Sequence, residues 1–301
     1  MTTSTAERAE ERLAWRLLLP GVGIIGVVAV VPLVWTLWES LHLHDLRMPW
    51  LGRPWVGAGN YVEAVTSPRF IAAWEHTVFF TVVSVAIELG LGLVLAVGMS
   101  RAGRRRGLVR MAVLMPWAIP TVVVALIWRF MFDSESGIVN ATLASMGVST
   151  DGLVWFVRPW LVWVPVILAD VWKMTPFVTL LVLAGLESID PSLYEAAQLD
   201  GAGPWQQFVE VTLPLLKPTL TVAVLFRTLD GLRVFDLIYV LTGGGPGTAS
   251  EPISQYTFNA ILQDLRFGFG SGLAVMVFGV TFLLALVYIR VLGRNLTGPV
   301  V

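Results

Sequence analysis

Eight ionisable side chains stand inside apolar runs of this sequence: Glu88, Arg129, Asp170, Lys173, Arg227, Asp230, Arg233 and Asp236. If those runs cross a bilayer, each central charge costs about 2.5–3.5 kcal/mol on insertion scales, and eight isolated ones would cost roughly 20–28 kcal/mol. They must therefore pair or face water. Spacing offers three i,i+3 pairs, Asp170 with Lys173, Arg227 with Asp230 and Arg233 with Asp236. Arg129 lies four residues before Asp133, near the outer end of its run. Glu88 has no sequence neighbour of opposite charge and needs one from another helix, Lys173 or Arg227. Two roles fit the set: ion pairs that lock helices together, or the polar lining of a transient substrate cavity.

Other chemistry is sparse. Cysteine is absent, which removes disulfides, thiolate metal sites and cysteine nucleophiles. His42 and His44 form an H-x-H pair without further ligands in sequence, and no nucleophile–base set is present. The glycine cluster Gly243–Gly247 lacks the lysine of a phosphate-binding loop, and the chain's two lysines, Lys173 and Lys217, lie in no such loop. ATP chemistry cannot come from these residues.

The elements that position these charges are membrane helices. Of the 301 residues, 56% are apolar and 14% charged, against about 25% charged in a soluble domain, and the mean hydropathy is +0.75. A water-soluble enzyme is excluded, and a net charge of −1 excludes a basic nucleic-acid binder. A spanning helix needs about 20 mainly apolar residues. Six stretches qualify, at about 16–38, 76–99, 108–132, 159–185, 218–241 and 271–292, within one all-α domain of residues 16–293. With the N-terminus inside, eleven Lys and Arg fall on the cytoplasmic side (Arg8, Arg12, Arg16, Arg101, Arg104, Arg105, Arg106, Arg110, Lys217, Arg290, Arg294). Five fall outside (Arg47, Arg53, Arg69, Arg158, Arg266). Trp35, Trp38, Trp50, Trp55, Trp74, Trp128, Trp155, Trp160 and Trp163 cluster at the outer interface. Segments 1–15 and 294–301 are then cytoplasmic, and Asn60 to Trp74 is expected as a short interfacial helix.

Residues 186–217 form the longest cytoplasmic excursion and are too polar to span. Asp190-Pro191 or Ser192 opens a helix, Gly201 breaks it, Pro204 starts a second, and Pro214 closes that one. The product is a rigid knob on which Phe208, Val211 and Leu213 face a partner or the membrane surface.

Within this loop, Glu195-Ala196-Ala197, three residues, Gly201, nine residues and Val211-Thr212-Leu213-Pro214 resemble the EAA loop of binding-protein-dependent ABC importer permeases; Val211 stands where that family usually has isoleucine. Trp172-Lys-Met-Thr-Pro176-Phe177, Leu183-Ala-Gly-Leu186, Asp200-Gly201-Ala202, Leu241-Thr242-Gly243-Gly244-Gly245-Pro246 and, more weakly, Asn60-Tyr61 are similar to the sugar-importing, maltose-type branch. The run from Leu225 to Pro246 looks closest to trehalose-type permeases.

The resemblance implies a six-helix type I ABC importer permease fold in the cell membrane, acting as a transport subunit rather than an enzyme. It implies that Glu195, Ala196, Ala197, Asp200, Gly201, Ala202, Leu213 and Pro214 couple to a separate ATPase. No cofactor is expected in this chain, ATP and Mg being held by that partner. The partners implied are a second permease subunit in a heterodimer, two ATP-binding subunits, an extracellular solute-binding protein and membrane lipid. Alignment with maltose-type permeases points to Trp117, Thr121, Asp170, Lys173, Phe177, Arg227 and Gly231 along the substrate pathway of a di- or oligosaccharide. Glu88, Asp230, Arg233 and Asp236 remain as ion-pairing residues. Lys173 and Arg227 are charged where the maltose family is uncharged, which keeps a glycerophosphate or another solute as an alternative. An ion-driven secondary transporter using Glu88 or Asp170 is the alternative of another class.

Overall fold

The structure is a computed structural model that describes residues 5–100 and 106–296, with side chains for 13–100 and 107–290. Arg101, Arg104 and Arg105, the side chains of Arg8, Arg12, Arg106 and Arg294, and the end of the 294–301 tail lie outside the described residues. Among the described residues the chain is helical, with two isolated bridges, His42 with Trp55 and Asp45 with Arg266, as its only β pairing. Five helices are long and apolar enough to cross a membrane, or six if one bent pair counts as a single span. Two compact units emerge: one holds the chain up to Ser67 with Thr257–Val277, the other Pro68–Tyr256 and the chain from Phe278.

In the first unit, α1 (Thr5–Ser40) has an apolar stretch with no residue buried within the chain, so lipid or another polypeptide must cover it. The turns that follow are knitted by polar groups. Asn60, in α2 (Gly59–Thr66), donates its amide to the carbonyls of Ser40 (2.8 Å) and His42 (3.0 Å), and the Tyr61 hydroxyl meets Ser40 Oγ at 2.6 Å. His42 Nδ1 bonds the Trp38 carbonyl and His44 Nδ1 bonds Glu39. Arg266 pairs with Glu63 at 2.6 Å and lies over the Phe269 ring. The helix expected from Asn60 to Trp74 is instead divided at Ser67, because Pro68 cannot donate into a continuing helix and begins α3 (Pro68–Ser100).

In the second unit, α3 packs along α7 (Trp163–Glu187), and α10 (Leu213–Gly231) lies against both. Close approach needs small residues at the contacts. A Cβ added at Gly92 would stand 2.6 Å from Val178 Cγ1, and one at Gly231 would stand 2.9 Å from Thr81 Oγ1. Towards one end, Ala96, Met99, Val178, Val182, Leu183, Leu216 and Ala223 form an apolar core; towards the other, Phe80, Ala125, Val166, Ala169, Leu237 and Ile238 do so.

Two apolar runs are not the single straight helices that hydropathy suggests. Residues 108–132 are α4 (Arg106–Ala118) and α5 (Thr121–Met131), meeting at 92° where Pro120 caps α5 in an extended conformation. After α6 (Ile138–Ser145) and α7, the 218–241 run is α10 and then α11 (Asp236–Leu241), separated by a turn at 232–235. Nor does Pro214 close the second loop helix. Between α8 (Pro191–Leu199) and α10, the helix α9 (Pro204–Gln207) passes through a π turn, Phe208–Thr212, directly into α10, so that Pro204–Gly231 is one helix of 28 residues. The wider turn takes up the bond that Pro214, with no N–H, cannot make. The last described elements are α12 (Ile253–Phe258), a second π turn and α13 (Phe267–Leu296).

Gly92 and Gly90 share a helix but not a neighbourhood, since a Cβ at Gly90 meets nothing within 4 Å. G92V is expected to destabilise the protein by about 1–3 kcal/mol through overpacking against Val178. G90V carries the same change in helix propensity without the clash. Thermal unfolding of both variants in mild detergent checks this: a lower Tm for G92V only.

Candidate functional site

Arg227 of α10 is 1% exposed, yet its guanidinium is surrounded by carboxylates from three helices. Nε and Nη2 form a fork on Glu88 of α3 (2.5 and 2.8 Å), Nη2 also reaches Asp170 of α7 (3.0 Å), and Nη1 bonds Asp230, one turn along α10, at 2.5 Å. The planar five-donor guanidinium suits this role, since one ammonium could not serve three acceptors from separate directions in fixed planes. Glu88 is fully buried and Asp170 nearly so, whereas the Asp230 side chain is 59% exposed. One end of the cluster is thus sealed in the helix contact and the other opens on a cavity.

That cavity holds about 300 Å³ and lies where α10 gives way to α11. Thr121, Asp170, Lys173, Arg227 and Gly231 line it. Trp117 and Phe177 do not: their rings lie 6.0 Å apart, and Phe177 also meets Phe226. Asp230, Arg233 and Asp236, read from sequence as pairing residues, line the cavity too, as do Phe80, Met174 and Phe235. Nothing in sequence marks those three, because they reach the cavity only through the crossing of α3 with α7 and the turn after Gly231.

The ion pairs are partly rearranged from the i,i+3 expectation. Arg227 with Asp230 holds, and Glu88 takes Arg227 as its cross-helix partner. Lys173, however, donates to the Ile119 carbonyl at 2.6 Å rather than to Asp170. Arg233 Nε donates to the Leu229 carbonyl, with no ion pair to Asp236 among the described residues. Arg129 reaches the Val240 carbonyl at 3.3 Å, while Asp133 accepts from its own turn at Ser136. In each failure a nearer backbone group outcompetes the side chain one turn away.

The loop between α7 and α10 is built as tightly as the cavity. Asp190 caps α8 by accepting from the Ser192 backbone N–H at 2.9 Å, a bond that holds its carboxyl below the usual carboxylate range. The other end closes as a Schellman motif: Ala202 N–H bonds the Ala197 carbonyl (2.9 Å), Gly201 N–H bonds the Gln198 carbonyl (3.0 Å), and Gly201 adopts φ +84°. The spacing of Ala197 and Gly201 is therefore the spacing of a helix stop. Gln207 Nε2 bonds the Ala202 carbonyl and the Tyr194 hydroxyl meets Thr212 Oγ1, tying α8 to α9 and the π turn. Glu195, Ala196, Asp200, Gly201 and Pro214 are exposed, and Ala197, Ala202 and Leu213 half-buried. The most outward apolar residues are Leu199 (90% exposed) and Trp205 (73%), with Leu193 and Val209 less so, whereas Phe208, Val211 and Leu213 are half-buried.

Apolar helices, a charged cavity lined from α3, α5, α7, α10 and α11 and a rigid polar knob joined to α10 are the features of an integral membrane protein of the transporter class. The family described as binding-protein-dependent transport system inner membrane component matches residues 88–296. The chain is 41% identical over 293 residues to the trehalose/maltose transport system permease protein MalF of Thermococcus litoralis, covering 97% of both. It is 38% identical to the trehalose transport system permease protein SugA of Mycobacterium tuberculosis over 96% of this chain and 92% of that one. A chain of a bacterial ABC transporter involved in the import of the acidic polysaccharide alginate shares its fold, with a TM-score of 0.81 at 25% identity over 95% of this chain and 96% of the other. The protein belongs to the family of binding-protein-dependent transport system inner membrane components, the permease subunits of ABC importers.

Removing the guanidinium while leaving its carboxylates buried should cost about 3–5 kcal/mol. R227M is therefore expected to lower the Tm of the detergent-purified protein sharply. Adding E88Q, which removes one orphaned charge, should recover part of that loss. Equal Tm values for R227M and wild type would show that the cluster contributes nothing to the fold.

Proposed function

We propose that this chain is one of two membrane-spanning permease subunits of an ATP-driven importer for a neutral di- or oligosaccharide, passing sugar through the Asp230-lined cavity by alternating access. The observation that carries this reading is the continuity of the Pro204–Gly231 helix. At 1.5 Å per residue it is a rod of about 42 Å. The knob with Glu195, Ala196, Ala197, Asp200, Gly201 and Ala202 is tied to one end of that rod, and Arg227, Asp230 and Gly231 line the cavity at the other. Displacement of the knob by an ATPase therefore reaches the cavity without crossing a flexible joint. Leu213 and Pro214 sit within the rod and transmit that displacement.

The knob suits a docking role. Its backbone is fixed by caps at both ends of α8, and Leu199 and Trp205 stand outward as apolar anchors for a partner cleft. ATP and Mg belong to that partner in this reading, and a solute-binding protein delivers the sugar from outside. A second permease subunit completes the pathway, because this chain carries one knob and one wall of charge. The Lys and Arg distribution supports cytoplasmic termini. Names of relatives support a saccharide, trehalose and maltose among them. A neutral solute is favoured over a phosphate by the charge balance of the cavity, where Asp170, Asp230 and Asp236 match Lys173, Arg227 and Arg233, and three carboxylates already surround Arg227.

G201D tests the coupling. A Cβ at Gly201 meets nothing within 4 Å, so the only penalty is the left-handed φ, and the complex should still assemble. In proteoliposomes holding the co-purified complex, ATP hydrolysis should persist while uptake of labelled trehalose or maltose falls at least tenfold, about 1.4 kcal/mol of coupling. Full uptake by G201D would overturn the coupling role. Competition by a phosphorylated solute but not by a neutral disaccharide would overturn the substrate class.

A further inference from the structure

The 92° elbow between α4 and α5 poses a problem that the pathway does not address. A break in a membrane helix frees backbone carbonyls, and each must find a partner or cost several kcal/mol in an apolar setting. In an uninterrupted helix the Ile119 carbonyl would accept from Val123 N–H. Here Pro120 caps α5 instead, Val124 N–H bonds the Pro120 carbonyl at 3.1 Å, and the Ile119 carbonyl takes the Lys173 ammonium at 2.6 Å. Lys173 is 9% exposed, on the neighbouring helix α7, and the charges that share its cavity are Asp170, Asp230, Asp236, Arg227 and Arg233. Two of those carboxylates are engaged by Arg227, which leaves the ammonium to the carbonyl at the break.

We propose that Lys173 is a positioning residue that straps the α4–α5 elbow to α7 and so keeps Thr121, the first residue of α5, on the cavity wall. The strap has a second anchor, since Trp117, two residues before Ile119, meets Phe177, one turn beyond Lys173. Together they hold the end of α4 at two points along α7. An ammonium suits the task, because it reaches along a four-carbon stem, donates to a single carbonyl and keeps its charge balanced by the acids of the same cavity. The strap itself is independent of what is transported; only its effect on uptake rests on the cavity being the sugar pathway.

The chain contains no cysteine, so apart from the introduced pair it adds no label site of its own. Met111 and Ile127 are exposed on either side of the elbow and accept cysteines for spin labels. Distances are measured by pulsed electron resonance in the complex purified from native membranes. With Lys173 present a single narrow distance is expected. K173M removes the donor, and K173Q keeps a neutral amide on a stem too short to reach; both should shift and broaden that distance, and K173R should restore it. Unchanged distances in K173M and K173Q would overturn the strap. In proteoliposomes, trehalose or maltose uptake by K173M should fall at least about tenfold, with K173R close to wild type. Altered distances with unaltered uptake would uphold the strap and overturn the cavity as the pathway.

Discussion

A guanidinium withdrawn from water has to bring its counter-charges along, and the arrangement of α3, α7 and α10 follows from that requirement. Arg227 draws Glu88, Asp170 and Asp230 to within hydrogen-bond distance, which fixes both the rotation and the depth of each helix. A helix turned by one residue would carry its carboxylate some 100° away and leave a buried charge unpaired. Gly92 against Val178 and Gly231 against Thr81 are consequences of the same demand, since backbones must approach closely for short acidic side chains to meet at one arginine.

Backbone regularity is given up only where polar groups can compensate. The elbow at Ile119 and Pro120 and the turn at 232–235 both border the cavity, where Lys173, Thr121 and the charged side chains stand. At Pro176 and Pro218 the helices continue although each proline omits one bond of the ladder. Irregular backbone at membrane depth is tolerated when it is buried in protein or lines a polar space. The cavity and the breaks are therefore one feature, and the rod from Pro204 to Gly231 ends where that feature begins.

The unevenness of what sequence spacing revealed has a simple origin. Glu88 lacked any opposite charge nearby, so a cross-helix partner was required, and Arg227 is that partner. Arg227 with Asp230 follows from helical geometry alone. Asp170 with Lys173, Arg233 with Asp236 and Arg129 with Asp133 satisfy the same spacing rule and are not formed, because the carbonyls of Ile119, Leu229 and Val240 lie nearer to the basic groups. Carbonyl positions depend on where helices end and cross, and spacing carries no record of that. Trp117 and Phe177 also meet each other, a contact that spacing does not record.

By itself the sequence determined the solvent and the kinship of this protein. Long apolar runs demand lipid, and the Glu195–Gly201 pattern writes a helix stop whose bonds are local, so both survive without knowledge of distant contacts. Tertiary structure alone decided which charges meet, that two apolar runs are broken while the second loop helix runs on into α10, and that Asp230 faces a cavity while Glu88 is sealed. Those outcomes hang on competition among donors and acceptors brought together from three helices. Such competition is settled by distance in space, which residue order does not contain.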